Sequence, residues 1–389
     1  MRTRPGNIAF STILAGTMGA GTFGLVVFAV LAAELIGEFG VQRWQVGALV
    51  TATTISGALI SPSVGTLTDR IGARRSTIVT LLIAGGALFA MSVSPVFWLV
   101  AISALIGGLG QALANPATNK LISMHTAPGR RGVITGVKQS GVQVGTFLGG
   151  LVLPPITIAF GWRWAVAGFA GAALAGGAVA AVLLPGDVED STSSPDEDSG
   201  SAMPDVIRAL AIYGFLLGFA GAAIFTYLPL FVEESLGYPK SVAGYVVAFL
   251  GSVGVLGRIA WGHISEHHLG AARSLRIIAV LSAVSSLLLV ASSAVPSLVW
   301  VAAVTTGLSA SSWNAVGMLA IIQSLPTRSA GRGSGIVLLG FLLGLGLGAP
   351  AFGYSVDRLG TYVPGWSAIT VIFLSALFVT QLRVPADIH

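Results

Sequence analysis

The run GTLTDRIGARR, from Gly65 to Arg75, lies between two long apolar stretches. A soluble core has no use for three arginines, one aspartate and two glycines in such a place. A chain that crosses a membrane repeatedly does, when the run forms a tight turn between two spanning helices. Composition agrees. Of 389 residues, 54% are hydrophobic and only 9% charged, where soluble domains average about 25% charged. A soluble fold cannot hide that much apolar surface, so lipid is the solvent for most of it. The 52 glycines suit close approach of membrane helices. The basic residues behind the formal charge of +5 sit mostly in short loops, which favours a topological reading over a nucleic-acid one. Without cysteine there is neither a disulfide framework nor a thiolate metal site.

Outward from that run the chain divides into twelve apolar segments: 8–36, 44–66, 75–94, 97–122, 131–156, 163–184, 205–232, 240–263, 274–294, 297–323, 332–357 and 363–383. Each is long enough to cross a hydrocarbon core of about 30 Å at about 1.5 Å per residue. With both termini in the cytoplasm, fourteen of the twenty Lys and Arg fall on the cytoplasmic side. Arg43, Arg163, Lys240 and Arg358 fall outside, and Lys138 and Arg258 lie within segments. That asymmetry sets the expected orientation, in a plasma (inner) membrane. The first segment is too long for a signal-peptide core and is read as a retained helix.

Residues 185–204, PGDVEDSTSSPDEDSGSAMP, are acidic and Ser/Pro-rich, the composition of a disordered linker. They part a first bundle of six spans (1–184) from a second (205–389). The halves echo each other. Gly65 and Asp69 recur as Gly262 and Glu266, and Gly108 and Asn115 as Gly307 and Asn314. Arg131-Gly132 recurs as Arg332-Gly333, and Gly161-Trp162 as Gly365-Trp366. Four matches in unbroken order point to duplication, the pattern of parallel repeats.

The spacing Gly65, Leu67, Asp69, Arg70, Gly72, Arg74, Arg75 resembles the loop signature of the major facilitator superfamily almost position for position. The resemblance implies an all-α polytopic fold of twelve transmembrane helices in two pseudo-symmetric six-helix bundles. It implies a carrier that works by alternating access, with this loop latching the halves on the cytoplasmic side and Asp69 in the gate. A bare positive-inside turn is the plainer reading.

The polar residues inside the spans are the candidate solute contacts. Gln111, Asn115 and Asn119 recur at four-residue spacing in the fourth span, a stripe that lipid does not tolerate. They either line a pore or hydrogen-bond between helices. Lys138 lies about 10 Å along the fifth span from Arg131 and shares a face with Gly145 and Gly149. Gln139 and Gln143 occupy the adjoining face. A lysine at that depth either meets an anionic solute or snorkels to headgroups. Asn314 is the matching polar residue of the tenth span. Arg258, near the end of the eighth, is expected to pair close to Glu266.

Gly136, Gly145, Gly149 and Gly150 match in part the fifth-helix signature of drug/proton antiporters, but the proline expected at 150 is absent. The carboxylates Glu34, Glu38, Glu233, Glu234 and Asp357 all fall near extracellular ends, and Glu34 is the one candidate for proton coupling. No cysteine occurs, and no histidine lies in the membrane interior to support a nucleophile or a metal, His263 being the last residue of the eighth span. These features predict a monomeric carrier in a lipid bilayer, not an enzyme, with no cofactor, metal or nucleic-acid partner. Its solute is expected to be small and polar, an organic anion. Proton-coupled export of amphipathic drugs, and a non-transporting sensor on the same fold, are the alternatives.

Overall fold

The computed structural model describes residues 7–127, 131–186, 205–324 and 327–383, and these are almost wholly helical. The linker expected at 185–204 therefore falls outside them, apart from its first two residues. The first half holds α1 (Asn7–Val30), α2 (Ala32–Phe39), α3 (Arg43–Ile71), α4 (Ala73–Ser92), α5 (Phe97–His125), α6 (Arg131–Phe160) and α7 (Trp162–Leu183). The second holds α8 (Asp205–Glu234), α9 (Lys240–Ile264), α10 (Gly270–Ser292), α11 (Leu298–Leu308), α12 (Trp313–Ser324), α13 (Thr327–Leu359) and α14 (Val363–Arg383). A π-helical turn, Ser265–Leu269, links α9 to α10.

Nine segments among the described residues are long and apolar enough to cross a membrane, and one of them, Lys240–Ser292, holds two helices. With α3 and the interrupted pair α11–α12 the crossings come to twelve. The first span is also interrupted, at Leu31, between α1 and α2.

Backbone geometry exposes the duplication more clearly than the side chains do. Gly40, Gly72 and Gly161 have positive φ, and Gly237, Gly270 and Gly360 repeat them at the same three turns of the second half. Gly72, with φ 91° and ψ 151°, ends α3 and begins α4 in a conformation closed to side chains bearing a Cβ. This corrects one match made on sequence. Gly360, not Gly365, turns the chain where Gly161 does; Gly365 lies within α14 against the Phe352 ring.

Packing repeats in the same way. Within the halves, α1 packs on α6 and α4 on α7, as α8 packs on α13 and α10 on α14. Small residues make the first kind of contact close. A Cβ added at Gly141 falls 1.9 Å from the Ala15 carbonyl oxygen, and one at Gly348 falls 2.0 Å from that of Phe219. Helices in lipid gain from such approach through van der Waals contact rather than through hydrophobicity. Two further seams join the halves, α3 on α13 and α6 on α9, and the pseudo-two-fold exchanges them.

One element departs from expectation. The tenth span is read from sequence as a single helix over 297–323, but it breaks at Ser309–Ser312. Its own hydroxyls compete for the backbone: Ser309 Oγ donates to the Thr305 carbonyl at 2.6 Å and Ser312 Oγ to Gly307 at 2.7 Å. Trp261 Nε1 donates to the freed Leu308 carbonyl at 2.6 Å, so the break is satisfied by protein rather than left to lipid.

Candidate functional site

The halves meet firmly at one end. At Arg43, the start of α3, the guanidinium lies 2.8 Å from Glu234 Oε2 and 3.1 Å from Asp357 Oδ1, both on the other half. Tyr362 Oη donates to Glu234 at 2.6 Å and accepts from Arg43 Nε at 3.3 Å. Asp357 also accepts the backbone N–H groups of Arg43 and Trp44, so it caps α3 from across the interface. Burial would lower the tendency of Arg43 to hold its proton, but Glu234 and Tyr362 outweigh it and raise that tendency. Beside this cluster Glu34 pairs with Lys240, again across the halves. Glu38 stays within its own half, bonded to Arg163 at 2.6 Å and to Trp162.

Below these ion pairs the seams are tight. A Cβ at Gly47 would meet the Ala349–Pro350 backbone at 2.6 Å, and one at Gly150 would meet Gly244 O and Ala248 N at 2.5 Å. At the opposite end the halves part. Ser61, Ser63, Gly65 and Leu67, which point to opposite sides of α3, are all exposed. Gly65 and its counterpart Gly262 have no heavy atom within 4 Å of an added Cβ. The molecule is therefore latched at one end and open at the other.

The run Gly65–Arg75 lies at the open end. Arg70 and Arg75 are exposed, and Arg74 reaches the Ala181 carbonyl near the end of α7, in its own half. A cation at the carbonyl end of a helix is favourably placed. The Asp69 side chain is outside the described residues.

The polar stripe of α5 and the lysine of α6 come together. Lys138 is fully buried, and its ammonium donates to Asn115 Oδ1 at 3.0 Å and to Asn119 Oδ1 at 2.6 Å. Gln139 Nε2 donates to the same Asn115 oxygen at 3.3 Å. Asn119 is itself exposed, so the ammonium lies one side chain behind the opening. The face that Lys138 shares with Gly145 and Gly149 is filled by α1, through Gly19, Phe23 and Val26. Gln111 is half-buried one turn further along α5, with its Oε1 buried and unpartnered among the described residues. Asn314 sits half-buried in the first turn of α12, without a hydrogen bond among the described residues.

Gln143 carries the site across the interface. It is buried, and its amide lies 2.7 Å from Ser311 Oγ in the broken span. With its oxygen turned to the second half it accepts from Arg258 at 3.0 and 3.3 Å. Arg258 also donates to the Ser311 carbonyl at 3.1 Å and to the Gln139 carbonyl at 3.4 Å. This overturns the expectation that Arg258 pairs near Glu266. The guanidinium turns inward, to the break in the tenth span and to α6, while Glu266 is exposed on the π turn. Glu34, the candidate for proton coupling, stands apart from this cluster, in the latch with Lys240.

Two helical bundles related by a pseudo-two-fold, joined by ion pairs at one end and enclosing a buried polar cluster toward the other, define a polytopic membrane protein. The model of the Major Facilitator Superfamily matches residues 9–340, and the chain belongs to that family. An uncharacterized MFS-type transporter of Mycobacterium tuberculosis strain H37Rv is 28% identical over 236 residues, 58% of this chain. The match spans about half, 52%, of that relative's length. The hexuronate transporter of Bacillus subtilis is 26% identical over 121 residues, 31% of this chain and 28% of its own. The quinolone resistance protein NorA of Staphylococcus aureus is 27% identical over 119 residues, 30% of this chain and 31% of its own. Among solved structures, a bacterial homolog of the human lysosomal transporter Spinster, inward-facing and occupied, superposes with a TM-score of 0.79. It is 16% identical, with 96% of this chain and 95% of that one covered, so it establishes the shared fold.

Proposed function

We propose that the chain is a carrier for a small organic anion, working by alternating access in the inner membrane with both termini in the cytoplasm. On this reading the latched end faces outside, the open end is cytoplasmic, and the structure is inward-facing. The solute enters between α5, α6, α9 and the break in the tenth span, and meets Asn119, Gln139, Gln143 and Arg258, with Lys138 behind Asn119. Gln111 and Asn314 extend the polar lining. The run Gly65–Arg75 closes the cytoplasmic side when the halves rock the other way.

One observation carries the anionic assignment: Lys138 and Arg258 sit inside the bundle and, among the described residues, bond only to neutral groups. Buried cations are normally paired, and an incoming anion supplies the missing partner. The match to a hexuronate transporter over part of the chain agrees with this class. The test is uptake of radiolabelled small acids into vesicles holding the purified protein. Lys138→Gln is expected to cut uptake about tenfold or more while the protein still inserts and elutes as a single species. Undiminished uptake of every transported acid by that variant would refute the assignment.

A second reading, export of amphipathic compounds, draws on a different observation. Between α3 and α13 lies an apolar cleft lined by Ile55, Ala58, Leu342, Leu343 and Leu347, with Thr51 and Thr54 as its polar lining. Transport of lipophilic cations, unchanged by Lys138→Gln, would favour it.

A further inference from the structure

Among the described residues the cluster between the halves holds two cations and no acid, and the helices that build it have none to offer. No carboxylate occurs between Asp69 and Asp187, between Glu234 and Glu266, or between Glu266 and Asp357. Helices α5, α6, α9, α11 and α12 therefore carry none. The acids whose side chains are described are held elsewhere. Glu34 pairs with Lys240, Glu38 with Arg163, Glu234 and Asp357 with Arg43, and Asp205 with Arg208. Glu233 is at the latched end of α8, and Glu266 is on the exposed π turn.

Against that background the two cations are arranged as a pair. Lys138 lies seven residues from the start of α6 and Arg258 six from the end of the antiparallel α9, so both are about 10 Å in from the open end. They belong to different halves, and Gln139 contacts the surroundings of both, its amide toward Asn115, which also holds Lys138, and its carbonyl toward Arg258. Among the described residues both meet only neutral acceptors, Arg258 those of Ser311, Gln143 and Gln139. Asn115 and Asn119 take two of the three N–H bonds of Lys138. The contact from Arg258 to Gln139 is long at 3.4 Å, and arginine cannot relieve itself by losing its proton. A planar guanidinium fork and a compact ammonium at the same depth, one on each half, are suited to two acidic groups rather than one.

We propose that the solute is a doubly charged organic anion, with one acidic group on Lys138 of the first half and the other on Arg258 of the second. This rests on the anionic reading above and narrows it. A compact diacid neutralises the cluster, and by touching both halves it ties occupancy to their relative position. A monoacid leaves one cation uncompensated in the membrane.

The experiment compares short straight-chain dicarboxylates with their own monoamides, which keep length and lose one charge. Binding to the full-length protein in detergent is read by thermal shift and by isothermal titration. The dicarboxylate is expected to bind about tenfold tighter or more than its monoamide. Arg258→Gln and Lys138→Gln should each bring that ratio close to one, and Arg258→Lys, which keeps the charge, should retain part of it. The ratio is measured within each variant, so a smaller folded fraction does not move it. Equal binding of diacid and monoamide by the parent overturns the inference and leaves the anionic reading standing. Binding of amphipathic cations with no binding of any acid overturns both.

Discussion

The seam between α6 and α9 is closed by two glycines, and its geometry predicts what one methyl group will do. A Cβ at Gly150 lies 2.5 Å from Gly244 O and Ala248 N, both backbone atoms that cannot swing aside. Restoring ordinary van der Waals contact requires the two helices to part by roughly 1 Å. Overpacking of this kind costs about 1–3 kcal/mol. The cost applies only while the seam is shut, so it becomes a difference between the two arrangements, worth about 5- to 150-fold in their ratio. Gly150→Ala should therefore favour the arrangement open at the latched end.

The protein has no native cysteine, so single reporters need no background removed. Ala349→Cys reports from the latched seam, where Ala349 is fully buried, and Ser61→Cys from the open end, where Ser61 is exposed. In Gly150→Ala the first should gain reactivity toward an impermeant maleimide and the second should lose it. Gly141→Ala is the control. It clashes at 1.9 Å with Ala15 inside one half, so it should lower the melting temperature without redistributing the labelling. If Gly150→Ala lowers only the melting temperature and both reporters label as in the parent, the seam does not open as a unit and the argument fails.

Two other outcomes follow from the latched end. Arg43→Gln strands Glu234 and Asp357 without their cation; because Arg43 is 29% exposed, the loss is discounted for solvent to about 1–2 kcal/mol. It should appear as reporter exposure at Ala349→Cys, and Glu234→Gln should restore part of the protection. Burial raises the Glu38 carboxyl, but the bonds from Trp162 and Arg163 outweigh it and hold the group below its ordinary 4.5. Its contribution to stability is thus present above pH 4.5 and lost as the pH falls through the lower folded value. Melting curves of the parent should fall away below pH 4.5 more steeply than those of Glu38→Gln.

The outline of this molecule is legible because membrane spans announce themselves by length and apolarity, and short loops by their arginines. The fourth-span stripe and Lys138 stand out too, since hydrocarbon penalises polar groups and a lysine that recur through an apolar run. What fills the Lys138 face is not legible. Gly145 and Gly149 allow a cavity or a neighbour equally, and only packing reveals that α1 is there. The break in the tenth span is hidden because Ser309, Ser311 and Ser312 scarcely alter hydropathy, while the partners that stabilise the break, Trp261 and Arg258, are some fifty residues away in sequence. The partners of Arg258 are hidden for a related reason. Glu266 is its nearest acid in sequence, but proximity along a chain says little about which way a long side chain turns. One signal was available: a charge well inside a span whose other one, Lys240, stands at its outer end.

Asp357 gives the latch a second character. Because it supplies acceptors for the first N–H groups of α3, the opening turn of that helix is completed by the far side of the protein. On the alternating-access reading, parting the halves then hands those N–H groups to water along with the ion pair, while the local Gln42–Gln45 cap keeps the turn wound. The latch thus trades a borrowed helix cap, as well as charge, for hydration.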